Sequence, residues 1–360
     1  MGNYRTVTIL AQESATTAAT KTIDLDVVNA ISRITLVYRP TNSNTTLIGH
    51  PALCITKVEI VDGSDVIFSA TGKELRAVAY YGTGEPLFDV LSYNISDQCI
   101  PGLPIYFGRY LFDPDLALDP KRFTNLQLKI THNEALGGST PTSSTLAVYA
   151  DVFDEKRVSP IGFLMTKEQY NYLPTASAHN YIDLDVSYPY RLILIGGHSS
   201  GKAPNNRFNK VKLSEDFDRK IPIPETSVSD LLKGIVNLFP PMVERIITPI
   251  AITATTVYTT IGYEGLQTGS GFGGTAIYTS AGNIVGGSYS LYGNASGTAV
   301  SLVNGFCPHN YMALPICDQD NISDFYNVTT LKSLRLDVTN GSSPGTSDSI
   351  YIVTQQLRRY

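Results

Sequence analysis

The residues whose types and spacing come nearest to a metal site are Asp318, Asp320 and Asp324, within Asp318-Gln319-Asp320-Asn321-Ile322-Ser323-Asp324. Carboxylates at this density suit calcium, a hard cation that prefers oxygen ligands. The stretch lacks the glycine and the closing glutamate of an EF-hand loop, so a capped turn is favoured over calcium. Asp24/Asp26 and Asp183/Asp185 are also paired carboxylates. Strand alternation puts both members of each pair on one face, opposite Ile23, Leu25 and Val27, whereas a glycosidase needs an acid and a base facing each other across a cleft. The five histidines, His50, His132, His179, His198 and His309, show neither H-x-H nor H-E-x-x-H. Cys54, Cys99, Cys307 and Cys317 form no C-x-x-C, so the reading is buried free thiols rather than zinc or a redox dithiol. Gly269-Ser270-Gly271-Phe272-Gly273-Gly274 matches G-x-G-x-x-G in form only, because no strand-helix unit surrounds it. No G-x-S-x-G occurs. The expectation is therefore no catalytic constellation, no cofactor, no resident metal and no enzyme activity.

The elements that must hold these residues are legible as a doubled pattern. Lys21-Thr22-Ile23-Asp24-Leu25-Asp26-Val27 returns as Asn180-Tyr181-Ile182-Asp183-Leu184-Asp185-Val186. Each copy leads into a β-rich run, Arg33-Ile34-Thr35-Leu36-Val37 and Arg191-Leu192-Ile193-Leu194-Ile195. Ile55-Thr56-Lys57-Val58-Glu59-Ile60 is echoed by Phe208-Asn209-Lys210-Val211-Lys212-Leu213, and Leu126-Gln127-Leu128-Lys129-Ile130-Thr131 by Leu334-Arg335-Leu336-Asp337-Val338-Thr339. Three echoes in one order mean two copies of a domain, since a solenoid repeats every 20 to 50 residues or so. Short alternating runs punctuated by Gly, Pro, Asn and Asp predict a sandwich or barrel in each copy. One short helix is expected at Thr71–Tyr80, where Thr71 and Glu74 form a capping-box pattern, and another at Glu225–Gly234.

The expected division is an N-terminal arm or edge strand at 1–20 that includes a strand-like Thr6–Leu10, a first domain at 21–158, a connector at 159–174 and a second domain at 175–360. A turn of helix is expected at Thr166-Lys167-Glu168-Gln169. A Gly-rich insertion runs from about 246 to 317, where Glu264 is the only charged residue and 12 of the 29 glycines fall. Its alternating pieces, Thr253–Ile261 and Thr275–Thr279, read as hairpins on a long loop, either an outward tower or a subunit contact.

A chain of 360 residues can bury two cores. Net charge is −5, with acidic residues in excess in both halves, so neither half offers the basic surface that direct nucleic acid binding needs. No apolar run is long enough for a membrane helix, and Met1–Ala11 lacks signal-peptide character, so folding in the cytoplasm is the expectation. Arg358 and Arg359, beside Tyr360, suit either anionic lipid head groups or solvent.

The two Ile-Asp-Leu-Asp-Val starts, the following Ala30-Ile31-Ser32-Arg33-Ile34 and Tyr188-Pro189-Tyr190-Arg191-Leu192, and the closing Leu-x-Leu-x-[Ile/Val]-Thr strands resemble double jelly-roll major capsid proteins of tailless icosahedral viruses. That lineage includes lipid-containing bacteriophages and the adenovirus hexon. The resemblance implies an all-β fold of two tandem eight-stranded antiparallel jelly-roll β-sandwiches, each with a short loop helix. It implies a structural protein of the virion that self-assembles as pseudo-hexagonal homotrimers tiling an icosahedral shell over an internal membrane. The partners it implies are neighbouring capsomers, penton and minor capsid proteins, and lipid. The competing readings are a tandem jelly-roll glycan-acting hydrolase and a carbohydrate-binding adhesin. Absent tryptophan argues against a sugar cleft.

Overall fold

The computed structural model describes residues 3–85, 87, 89–199, 201–271, 277–279, 284, 286–346 and 348–360. Residues 272–276, which hold part of the G-x-G-x-x-G stretch and the start of the Thr275–Thr279 piece, lie outside the described residues.

The chain forms two jelly rolls with the same strand order. In the first roll, one sheet runs Tyr4–Ser14, Pro141–Phe153, Ile31–Asn42, Leu103–Tyr106, and faces a second that runs Ala19–Asp24, Leu126–His132, Ile55–Asp62, Asp65–Ala70. In the second roll the corresponding sheets are Gly162–Tyr172, Ile350–Arg359, Tyr190–Gly196, Met312–Ala313 and His179–Leu184, Leu334–Asn340, Phe208–Glu215, Lys220–Ser227. The echoes noted in the sequence are the matching strands, and their registers agree. Leu128 lies between Ile23 and Ile60, just as Leu336 lies between Ile182 and Leu213. Ile182 and Leu184 are buried while Asp183 and Asp185 face solvent, as strand alternation requires.

Of the two readings of residues 1–20, an arm or an edge strand, the structure has the strand: Tyr4–Ser14 pairs along Pro141–Phe153 at the sheet edge. Sheet pairing departs from the expected outline further on. The stretch read as a connector contains Gly162–Tyr172, which pairs along Ile350–Arg359, so the helical turn expected at Thr166–Gln169 is strand. Phe163, Leu164 and Met165 are buried there, and this packing overrides the local helical preference of Lys167-Glu168-Gln169. One parallel pairing, Lys167 with Ser69, joins the two rolls into a continuous eight-stranded sheet.

Among the described residues there are three α-helices: α1 (Gly72–Thr83), α2 (Pro204–Arg207) and α3 (Val228–Leu238). α1 and α3 occupy the same connection in their rolls. The capping box of α1 is formed, with Thr71 Oγ1 accepting from the Glu74 amide at 3.4 Å and Glu74 Oε2 accepting from the Thr71 amide at 2.7 Å. Ser227 stands at the equivalent N-cap and makes no side-chain capping bond. α1 contributes Leu75 to the core of the first roll, but Ala77, Val78, Tyr80 and Tyr81 to the core of the second.

The insertion is more than hairpins on a loop. Ile261–Gly271, Gly297–Pro308 and Met242–Ile250 form a sheet that Leu91–Ser92 of the first roll extends, and Thr255–Tyr258, Ser288–Gly293 and Ile277–Thr279 form another. Leu91 and Ser92 pair in parallel with Ile246 and Ile247, so both halves of the chain build this structure.

Candidate assembly faces and the buried junction

Equivalent residues in the two rolls sit in opposite environments. On the outer face of the first sheet of roll one, Thr6 Oγ1 donates to Asp151 Oδ1 at 2.6 Å, and Arg33 Nη2 meets Asp151 Oδ2 at 2.7 Å. Arg33 also lies over the Tyr106 ring, 5.6 Å from its centroid. The outward residues Thr35, Val37, Arg39 and Tyr149 are half-buried in the single chain.

The same positions in roll two are Thr166, Gln355 and Arg191, and all three are buried. Gln355 Nε2 donates to Thr166 Oγ1 at 3.3 Å, and Arg191 Nη1 donates to Gln355 Oε1 at 2.8 Å. The rest of the Arg191 fork reaches Gln319 O at 2.9 Å and Gly82 O at 2.6 Å. Gly82 is in the last turn of α1, where helix carbonyls lack internal partners and favour a cation. Burial lowers the Arg191 pKa to about 10, and the Asp320 charge offsets only part of that. α1 thus helps to cover in roll two the face that stays open in roll one.

A second buried group lies where α1, the first-roll loops and the insertion meet. Arg76 is fully buried on α1 and forms a bidentate pair with Asp89, Nη2 to Oδ2 at 2.6 Å. It also donates to Thr260 Oγ1 at 2.6 Å and, through Nε, to His309 Nε2 at 3.0 Å. Glu244 approaches Arg76 Nη2 at 3.5 Å and accepts from the Thr260 amide at 3.0 Å and from Thr259 Oγ1. Burial, then the nearby Asp89 charge, raises the Glu244 pKa. His50 packs edge-on to His309 with ring centroids 4.8 Å apart. Lys73 at the start of α1 binds Asp348 at 2.8 Å, and Tyr311 donates to Glu74 Oε1 at 3.2 Å. This set ties roll one, roll two and the insertion together. Sequence reasoning missed it because Glu244, Thr260 and His309 lie between 168 and 233 residues from Arg76 in the chain; a fully buried arginine on a short helix was the available signal.

The expected site residues fall elsewhere. Asp324 Oδ2 accepts from the Asp318 amide at 2.6 Å, and Asp318 Oδ1 from the Asp320 amide at 3.0 Å. These carboxylates cap a turn. Among the described residues no group of three or more His, Cys, Asp or Glu side chains converges as a metal site. The four cysteines are free, three of them buried. Arg358 is engaged by Asp65 at 2.6 Å, and Arg359 is exposed. Among the described residues no helix is long and apolar enough to cross a membrane.

No protein-family model and no curated protein matches the sequence. Solved structures do match over the full length. The crystal structure of the major capsid protein of Sulfolobus turreted icosahedral virus superposes with a TM-score of 0.57 at 13% identity, over 100% of this chain and 98% of that one. The atomic structure of that virus gives 0.58 at 12% identity, over 100% and 92%. The major capsid protein P2 of bacteriophage PM2 gives 0.55 at 11% identity, over 99% and 98%. Together with the strand order, these matches define the class: an all-β double jelly roll. The particular chains that share it are viral major capsid proteins, which this chain resembles in fold.

Proposed function

We propose that this protein is a viral major capsid protein, a structural component of the virion that assembles as pseudo-hexagonal homotrimers. The observation that carries the reading is the pairing of like rolls with unlike exposure. Roll one covers the Thr166/Gln355/Arg191 face of roll two within the chain, and leaves its own Thr6/Asp151/Arg33 face open. A neighbouring copy that presents its second roll to that face would repeat the internal contact, and a heterologous contact that closes at three gives a ring of six similar rolls. Such a ring tiles a shell together with neighbouring capsomers, penton and minor proteins. In this reading the chain divides into rolls at 4–153 and 162–360.

The insertion lies at the end of the rolls reached by the loops at 43–54 and 197–207. The chain ends and the turns at 63–64 and 216–219 lie at the opposite end, which would face an internal membrane. Exposed Val28, Tyr110, Ile161 and Phe217 at that end suit a lipid surface or an inner protein. Arg359 remains available to lipid, and Arg358 contributes its pair with Asp65 instead. Two open grooves, one of 690 Å³ beside Thr253–Thr256 and another of 680 Å³ beside Asn205–Lys210, contain no carboxylate pair, and a smaller one of 170 Å³ holds Asp218 and Asp337, which face Lys212 at 2.8 Å and His179 at 3.3 Å.

Native mass measurement tests the proposal. A particle of three 39.1 kDa chains, and hexagonal capsomers in electron micrographs, are expected; a stable monomer with glycan-cleaving activity would replace this reading with the hydrolase.

A further inference from the structure

Three histidines with no shared sequence spacing, His50, His198 and His309, gather under the insertion, and two of them are held in one protonation state by their partners. His50 is the N-cap of the turn Pro51–Cys54, and its Nδ1 accepts from the Ala52 amide at 3.1 Å. In the neutral ring the proton therefore sits on Nε2, which meets Thr260 Oγ1 at 3.2 Å. His309 Nε2 accepts from Arg76 Nε at 3.0 Å, which places its ring proton on Nδ1. Both donors are groups that cannot give up their role, a backbone amide and a guanidinium. Each ring has one basic nitrogen, and in each it is already taken. A proton added to either ring must displace one of these bonds and set N–H against N–H.

We propose that this junction is an acid-sensitive joint, in which protonation of His50 and His309 unseats the first-roll loop and α1 from the insertion and loosens the two rolls at the end that carries it. Every element packed here contributes charge. α1 brings Arg76, Lys73 and Glu74; the 84–102 loop brings Asp89; the second-roll loop brings His198; the insertion brings Glu244; and the 341–349 loop brings Asp348, paired with Lys73. Burial, followed by Arg76, holds His50 well below the ordinary histidine pKa, and burial, followed by His50 and Arg76, does the same for His309. An opened histidine titrates near its ordinary value of about 6.5, so the open state takes up protons below that pH and the closed state does not. The histidine contribution to closure is complete above about pH 6.5 and declines as pH falls below it. Glu74, raised to about 7 by burial, acts in the opposite direction, losing on opening at neutral pH the proton it holds while closed, and the upward shift of Glu244 has the same sign. The test must therefore remove the histidine term alone.

His50→Asn keeps an N-cap acceptor and His309→Gln keeps an acceptor for Arg76, and neither side chain titrates. The readout is hydrogen exchange of Met242–Ile250 and Leu91–Ser92 from about pH 7.5 to 5, corrected for intrinsic exchange. In the wild-type chain, opening should rise below about pH 6 by up to tenfold per histidine per pH unit, and the double variant should lose that rise. Should the double variant fail to fold, each single variant should remove about half of the logarithmic slope. A wild-type profile without acid opening, or variants that keep the wild-type slope, would overturn the proposal. Neither outcome depends on the capsid reading, which mass and micrographs test separately.

Discussion

Arg33 and Arg191 hold the same place in two copies of one fold, yet one sits at a half-open face and the other is sealed inside the molecule. Their partners differ accordingly. Arg33 is neutralised by Asp151, whereas Arg191 is satisfied by Gln355 and by carbonyls of α1 and the second roll. The strands carry the same contrast. Every residue of Tyr190–Gly196 is buried, and it reads Tyr-Arg-Leu-Ile-Leu-Ile-Gly; Ile31–Asn42 alternates buried and half-buried. A strand covered on both faces becomes an apolar run, and one covered on a single face alternates. Duplication thus kept the backbone and let each copy adapt to the surface that covers it.

The sharpest way to break this comparison is to truncate both arginines. Arg191→Ala strands several buried acceptors and should cost about 3 kcal/mol or more of the isolated chain's stability, while Arg33→Ala should cost about 1 kcal/mol or less. Urea unfolding of the two variants measures both, and similar losses would deny the difference in environment.

The two helices provide the next contrast. A Cβ on Gly72 would lie 2.2 Å from Ala52 O, whereas one on Gly234 of α3 meets nothing within 4 Å. Gly72→Ala should therefore destabilise the chain by about 1–3 kcal/mol, and Gly234→Ala should stabilise it by about 0.5–1 kcal/mol. Thermal melts of the pair decide this. If α3 faces a neighbour as α1 faces roll two, Gly234→Ala will also weaken the trimer at fixed protein concentration.

Equivalent turns at the far end differ as well. Asp62 Oδ1 accepts from the Thr124 and Asn125 amides, and Asp216 Oδ1 from those of Lys332 and Ser333. After this shared anchor, roll one places Gly63 at φ 59°, but roll two places Asp216, Phe217 and Asp218 at φ 47°, 58° and 66°. Phe217 is 75% exposed there. Backbone strain of this kind in residues other than glycine is retained where the surroundings use it. Phe217→Gly should raise the melting midpoint, by about 1 kcal/mol of stability, and Gly63→Ala should lower it by a similar amount. The smallest expected difference is at the caps. Thr71→Ala should cost about 1 kcal/mol and Ser227→Ala a few tenths, since only Thr71 accepts a helix amide; denaturant midpoints resolve the two.

The doubling was legible in the sequence because burial on one side of a strand imposes alternation, and three echoes preserved it. Thr71 and Glu74 announced α1 through a local bond pattern. Thr6–Leu10 was legible as a strand by its alternation though its partner was not, and Gly162–Tyr172 was harder to see, since the partners Pro141–Phe153 and Ile350–Arg359 lie far along the chain. The Arg76 junction was illegible for the same reason: Asp89, Glu244, Thr260 and His309 have no local signature, and only the fold brings them to one guanidinium. Conversely, Asp318, Asp320 and Asp324 were conspicuous by spacing, and that spacing serves a turn.

A cryo-electron microscopy map of the assembled particle bears most directly on the idea that one roll supplies what the other lacks. The account predicts three chains in a ring, with the Arg33, Val37 and Tyr149 face of each first roll covered by the second roll of its neighbour. A map in which that face is open to solvent in the assembled particle would contradict it.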